Sequence, residues 1–247
     1  PYRGLFAFLE EDAPFFFGRE EYSRRLVNAA RQQALVAVVG SSGSGKSSVV
    51  FAGLLAQLLK ETTWLIATFR PGSDPFQALA GTLLPLLEPE LGDPHQLVEI
   101  RKWAEGLSKG DLPLADVVGR ILQKNPDSDR FMLVADQFEE LYTLCPEPET
   151  RHTFLDVLFE VIDLQQFQSA PSFTFVFTLR ADFLEQALAH RPFADAIQDH
   201  DLKLGPMTRE ELGRAIEQPA KIQDVAFESG LVDRILESRQ TSDPPTN

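Results

Sequence analysis

Apolar and polar positions follow two rhythms along this chain. Ala34 to Val39, Trp64 to Phe69, Phe131 to Ala135 and Phe173 to Leu179 are short, nearly continuous apolar runs, each closed by a glycine or a charged residue. Runs of that kind are strands buried on both faces of a parallel sheet. Between them lie longer stretches of helical periodicity at 20–32, about 46–60, two within 94–124 that are separated by Gly110 to Pro113, 137–168, and about 182–190. Asp74-Pro75 is an N-cap and first-turn pair that opens a further helix, and the piece around Leu202 to Leu204 reads as a last strand. Strands alternating with helices predict an α/β fold, a doubly wound parallel sheet covered on both faces. After Gly205-Pro206 the pattern is helical only. Thr208 and Glu211 form a capping box for a helix reaching about Gln218, Pro219 interrupts, and 228–239 is helical again. The expected organisation is therefore a core over 1–205 and the beginning of a helical lid over 206–247.

Composition narrows the function. Hydrophobic residues make up 43% and charged ones 24% of the 247 residues, ordinary for a globular protein with a sizeable core. The net charge of −14 argues against a surface that coats nucleic acid or anionic membrane, while leaving room for one local basic pocket. The longest apolar run, Val49 to Leu59, is well short of the ~20 residues of a membrane-spanning helix, so a cytoplasmic location without membrane contact is expected. The lone Cys145 cannot form an intrachain disulfide. His95, His152, His190 and His200 lack close ligand spacing, and Cys145 has no evident base partner, so these side chains read as solvated or structural. The opening Pro-Tyr-Arg-Gly and the Pro-rich stretch Thr241 to Asn247 read as cuts through a longer chain.

One motif carries the chemistry. Gly40-Ser41-Ser42-Gly43-Ser44-Gly45-Lys46-Ser47, followed by Ser48, matches G-x-x-x-x-G-K-[ST] and lies between a buried strand and a helix. Glycines let successive N–H groups turn inward around phosphate oxygens, and the helix end adds a positive field. Lys46 is then the ligand of the β- and γ-phosphates, and the Ser47 hydroxyl a ligand of Mg²⁺. The strand Phe131 to Ala135 ends in Asp136, a Walker B pattern, at the edge of the sheet where the phosphate loop also lies. Asp136 is expected to share the metal with Ser47. Many such ATPases place a glutamate directly after that aspartate. Here the position is Gln137, so Glu139 or Glu140 is the candidate for orienting the attacking water, each with the alternative of favouring a helix N-terminus. Arg180, at the end of the strand Phe173 to Leu179, is either a γ-phosphate sensor or the ion-pair partner of Asp182. Arg70 also follows a strand, and structure outweighs function there.

The opening Pro-Tyr-Arg-Gly-Leu-Phe-Ala-Phe-Leu-Glu-Glu-Asp-Ala-Pro-Phe-Phe-Phe-Gly-Arg-Glu, with the phosphate loop behind it, resembles the start of the novel STAND NTPase domain of bacterial signalling proteins. Asp136 to Leu141, Thr178 to Phe183 and Leu204 to Gly230 also look like that family. The resemblance implies an AAA+/STAND-like P-loop NTPase fold binding ATP or ADP with Mg²⁺, with Gly18 and Arg19 beside the adenine and Arg180 as the sensor. It implies slow hydrolysis, a nucleotide-dependent signalling switch, nucleotide-driven self-association, and fused sensor or effector domains such as WD repeats. An ABC transporter ATPase would need a Leu-Ser-Gly-Gly-Gln signature, and a GTPase an Asn-Lys-x-Asp run. The sequence holds neither. A nucleotide-binding oligomerisation scaffold with negligible turnover and an AAA+-like loader remain as alternatives.

Overall fold

The apolar runs all become strands of one sheet in the computed structural model, which describes residues 2–61, 63–165, 172–198 and 200–240. β1 (Leu35–Gly40), β2 (Trp64–Phe69), β3 (Arg130–Ala135), β4 (Phe173–Arg180) and β5 (Asp201–Leu204) lie in the order β2-β3-β4-β1-β5. Every pairing is parallel, with Gly40 beside Arg180 and Leu204, and Ala135 beside Phe177. Parallel pairing brings all the carboxyl ends to one edge, which is where the polar motifs sit.

Alternation along the strands feeds two cores. Leu35, Ala37, Val39, Phe131, Leu133, Phe175 and Phe177 face the larger one, packed under α4 (Pro75–Leu87), α5 (Asp93–Lys109), α6 (Leu114–Lys124) and α8 (Pro148–Gln165). Val36, Val38, Met132, Val134 and Val176 face the smaller one, under α1 (Glu20–Gln32) and the helix that follows the phosphate loop. The doubly wound parallel sheet expected from the sequence is therefore what forms.

Local departures have local causes. The helix expected over 46–60 is α2 (Lys46–Ser48), a π-helical turn (Val49–Leu55) and α3 (Ala56–Leu58). That wide turn presses against α1 at Gly53, where an added Cβ would sit 2.4 Å from Ser23 Oγ. The region 137–168 splits into α7 (Glu140–Thr143) and α8, because Pro146 and Pro148 push the residues before them out of helical geometry. Its last three positions lie outside the described residues. The stretch at 182–190 becomes a 3-10 turn (Ala181–Phe183) and α9 (Leu184–Leu188), with α10 (Arg191–Ile197) behind it.

The capping box at Thr208 and Glu211 forms as read and opens α11 (Arg209–Ile222), which continues beyond Gln218 because Pro219 and Ala220 are buried in its final turn. α12 (Leu231–Gln240) is tied to α11 by an Arg209–Asp233 ion pair at 2.7 Å. The aromatic-rich N-terminal segment docks only in part. Phe8 and Phe16 pack at 5.7 Å between ring centroids, but Phe6 is 81% exposed. The Pro-rich stretch 241–247 lies outside the described residues.

Candidate functional site

The phosphate loop starts where β1 ends. Gly43 and Gly45 have φ of +71° and +91°, the left-handed region that glycine enters without steric cost. Lys46 is buried, and its Nζ donates to the carbonyls of Gly40 at 3.1 Å and Ser41 at 2.9 Å. Burial lowers its pKa. Glu139, Asp136 and Asp182 oppose that shift and Arg180 adds to it. The charges from two other strand ends thus converge on the lysine of the loop.

Asp136 is nearly fully buried at the end of β3. Its Oδ1 accepts from Ser47 Oγ at 2.7 Å and Thr178 Oγ1 at 2.9 Å, and its Oδ2 from Arg70 Nη2 at 3.2 Å. A serine hydroxyl bonded to a strand-end carboxylate is the pair that can hold Mg²⁺ together with phosphate oxygens and water. The turn after Asp136 is stitched to β4. Gln137 N donates to Thr178 Oγ1 at 2.8 Å and Phe138 N to the Thr178 carbonyl at 2.9 Å. Gln137 sits at φ +55°, a costly backbone for a residue with a side chain, held by those bonds. Its amide, oriented by its neighbours, donates to Glu140 Oε1 at 3.1 Å and accepts from Arg70 Nη2 at 3.2 Å.

The two candidate glutamates are directed to different places. Glu139 Oε2 accepts from the backbone N of Arg180 at 3.3 Å, within the charge cluster around Lys46. Glu140 Oε2 accepts from Gly72 N at 3.1 Å, tying the acidic turn to the loop behind β2. Arg180 adopts the ion-pair arrangement, with Nη2 2.6 Å from Asp182 Oδ2 and its guanidinium 5.1 Å from the centroid of the Phe183 ring. The bond of Thr178 to Asp136 and the pairing of Arg70 with the same carboxylate are what the sequence does not single out. Both residues stand at strand ends on the motif-bearing edge, and that strand-end position is the available signal.

The N-terminal segment forms the far wall. Gly18, at φ +85°, packs so closely on α11 that an added Cβ would sit 2.4 Å from the Glu211 carbonyl oxygen. Arg19 is 7% exposed, and its Nη2 donates to the Gly205 carbonyl at 2.8 Å. Ser48 Oγ accepts from Phe8 N at 3.1 Å, and the Tyr2 hydroxyl donates to the Ile216 carbonyl. Beside these contacts lies an open cleft of about 770 Å³ lined by Phe8, Phe16, Arg19, Ser41 to Gly45, Ser48, Pro206, Met207, Arg209, Leu212 and Leu236. Two buried polar atoms among its lining residues, Arg19 Nε and Ser44 Oγ, have no hydrogen-bond partner. Its size, aromatic wall and donors fit a nucleotide whose phosphates lie in the loop.

Among the described residues no helix is long and apolar enough to cross a membrane. The family model Novel STAND NTPase 1 matches residues 1–245. The Walker-type ATPase PABY2304 of Pyrococcus abyssi is similar in structure at 17% identity and TM-score 0.58, over 94% of this chain and 65% of that one. AMPPCP-bound DnaA from Aquifex aeolicus aligns at 12% identity and TM-score 0.51, over 93% and 59%. The Aeropyrum pernix Orc1 protein, solved in complex with DNA, aligns at 15% identity and TM-score 0.54, over 92% and 56%. The chain thus spans less than two thirds of the length of each. At these identities the likeness shows the fold, which is that of P-loop, AAA+-like ATPases. Comparison with curated proteins finds no match.

Proposed function

The chain belongs to the family Novel STAND NTPase 1, a nucleotide-binding NTPase module, and from that premise we propose that it is an ATP-dependent signalling switch with slow hydrolysis and nucleotide-driven self-association. The observation that carries this reading is the continuity of one cavity from the phosphate loop to the N-terminal segment and α11. In this reading Lys46 exchanges the carbonyls of Gly40 and Ser41 for phosphate oxygens, and the loop amides complete the cradle. Phe8, Phe16 and Arg19 take the adenine end. Magnesium held by Ser47 and Asp136 would neutralise charge developing between the β- and γ-phosphates.

Glu139 orients the attacking water, being the carboxylate of the acidic turn that lies in the Lys46 charge cluster. Arg180 exchanges Asp182 for the γ-phosphate and so reports its presence. Residues 206–247 act as the first part of a lid, bridged to the loop by bound ATP and loosened when the γ-phosphate leaves. Fused sensor and effector domains outside residues 1–247 would read that change. The net charge of −14 disfavours the loader alternative, in which this segment would meet DNA directly.

Single-turnover hydrolysis and calorimetric binding, run on wild type and Glu139→Gln, test the reading. ATP binding is expected in both, with cleavage in the variant slower by about 100-fold or more, the scale of a lost acid–base group. A wild-type chain that binds ATP tightly without cleaving it would instead match the scaffold alternative. That alternative is favoured by Gln137, whose side chain is turned toward Arg70 and Glu140. A folded chain that binds no nucleotide overturns both.

A further inference from the structure

Arg70 reaches Asp136 from the side of the sheet opposite the phosphate loop, because β2 lies beyond β3 while β1 lies beyond β4. Asp136 is a buried carboxylate whose Oδ1 is taken by Ser47 and Thr178, and whose Oδ2 faces the Arg70 guanidinium at 3.2 Å. With the Gln137 amide assigned from its hydrogen-bonding neighbours, the same Nη2 lies 3.2 Å from its side-chain oxygen. The arginine backbone is anchored through the neighbouring turn, where Gly72 N donates to Glu140. Its side chain, however, is 55% exposed and has solvent to swing into. A buried carboxylate needs a countercharge. A guanidinium and a divalent cation cannot share one carboxylate oxygen without strong like-charge repulsion.

We propose that Arg70 is the resident counterion of the cation site, holding the outer oxygen of Asp136 in the nucleotide-free protein and yielding it when a divalent cation arrives. This rests on the reading that Ser47 and Asp136 hold magnesium. Two consequences point the same way. Without magnesium, Arg70 screens the triphosphate from the negative charge of Asp136, so nucleotide binds in spite of the missing metal. With magnesium, the ion pair has to open first, which weakens the metal's hold. Removing Arg70 therefore makes nucleotide binding more dependent on magnesium in both respects.

The test compares wild type with Arg70→Ala, Arg70→Gln and Arg70→Lys in two measurements. The first is the ratio of ATP dissociation constants in EDTA and in magnesium. It is expected to rise by about five- to tenfold when the charge is removed, the scale of one partly exposed ion pair counted in both conditions, and to stay near wild type in Arg70→Lys. The second is Mn²⁺ titration of the nucleotide-free protein followed by its paramagnetic resonance. Binding is expected to tighten by about fivefold in Arg70→Ala and Arg70→Gln. An unchanged ratio in a folded variant, or a loss of ATP affinity equal with and without magnesium, overturns the proposal, since a purely structural or phosphate-binding arginine would give those results. If wild type binds no nucleotide at all, the functional reading fails, and the Mn²⁺ titration still decides on Arg70.

Discussion

ATP affinity is expected to fall by about 100-fold or more in Lys46→Ala, the loss of two or more charge-assisted hydrogen bonds to phosphate. The fold should survive. Lys46 directs its ammonium at two backbone carbonyls of its own loop, those of Gly40 and Ser41. Its burial disfavours the charged form, and only the neighbouring carboxylates offset that. Deleting the side chain removes both the bonds and the buried charge, so the melting temperature is expected to stay within about 4 °C of wild type, about 1 kcal/mol for a domain of this size. Calorimetric titration with ATP and a thermal melt on the same sample check the two halves. Unchanged affinity in a folded variant would remove Lys46 from the site.

The largest stability effect belongs to Phe138, in the middle of the acidic turn. Its ring is fully buried and meets Phe177 at 4.9 Å, Phe175 at 5.9 Å and Phe193 at 6.5 Å between centroids. Phe138→Ala leaves a cavity at that junction and should cost about 3–5 kcal/mol, lowering the melting temperature by about 10 °C. The same side chain fixes the turn that presents Asp136 on one side and Glu139 on the other. Its backbone N also donates to Thr178, the residue whose hydroxyl holds Asp136. Hydrolysis in the variant should therefore drop even at temperatures where the chain is fully folded. Denaturant unfolding measures the first effect and single-turnover kinetics the second. A melt within about 2 °C of wild type would mean that the ring is not the anchor.

The sequence carried much of this, and its failures have physical reasons. Buried parallel strands announce themselves as uninterrupted apolar runs, so β1 to β4 were legible to within a residue or two, and even the short β5 was visible. The phosphate loop was legible because its glycines are required by backbone geometry. Strand order was not, since nothing local in Phe131 to Asp136 says that β4 separates it from β1. That hidden order is why the partner of Arg70 was not legible. That partner, Asp136, lies 66 positions further along the chain and meets Arg70 only through the register of β2 against β3. The division between Glu139 and Glu140 was illegible for a related reason. Adjacent carboxylates look alike in sequence, and only the positive φ of Gln137 and the bonds that the turn donates to Thr178 direct one toward Arg180 and the other toward Gly72. The π-helical turn after the loop has the same periodic apolar pattern as an ordinary helix, so nothing in the residue types announced it.

Hydrogen exchange of the wild-type chain with and without ATP and magnesium tests the central claim most directly, because it reports where nucleotide binds as well as whether it does. The account predicts slowed exchange in three places that are remote in sequence and each contribute lining residues to one cavity: the loop amides from Ser41 to Ser48, the N-terminal segment at Phe8, Phe16 and Arg19, and the first turn of α11 at Arg209 and Leu212. Binding that protects other surfaces while leaving the loop unchanged, or no protection anywhere at saturating ATP, would contradict it.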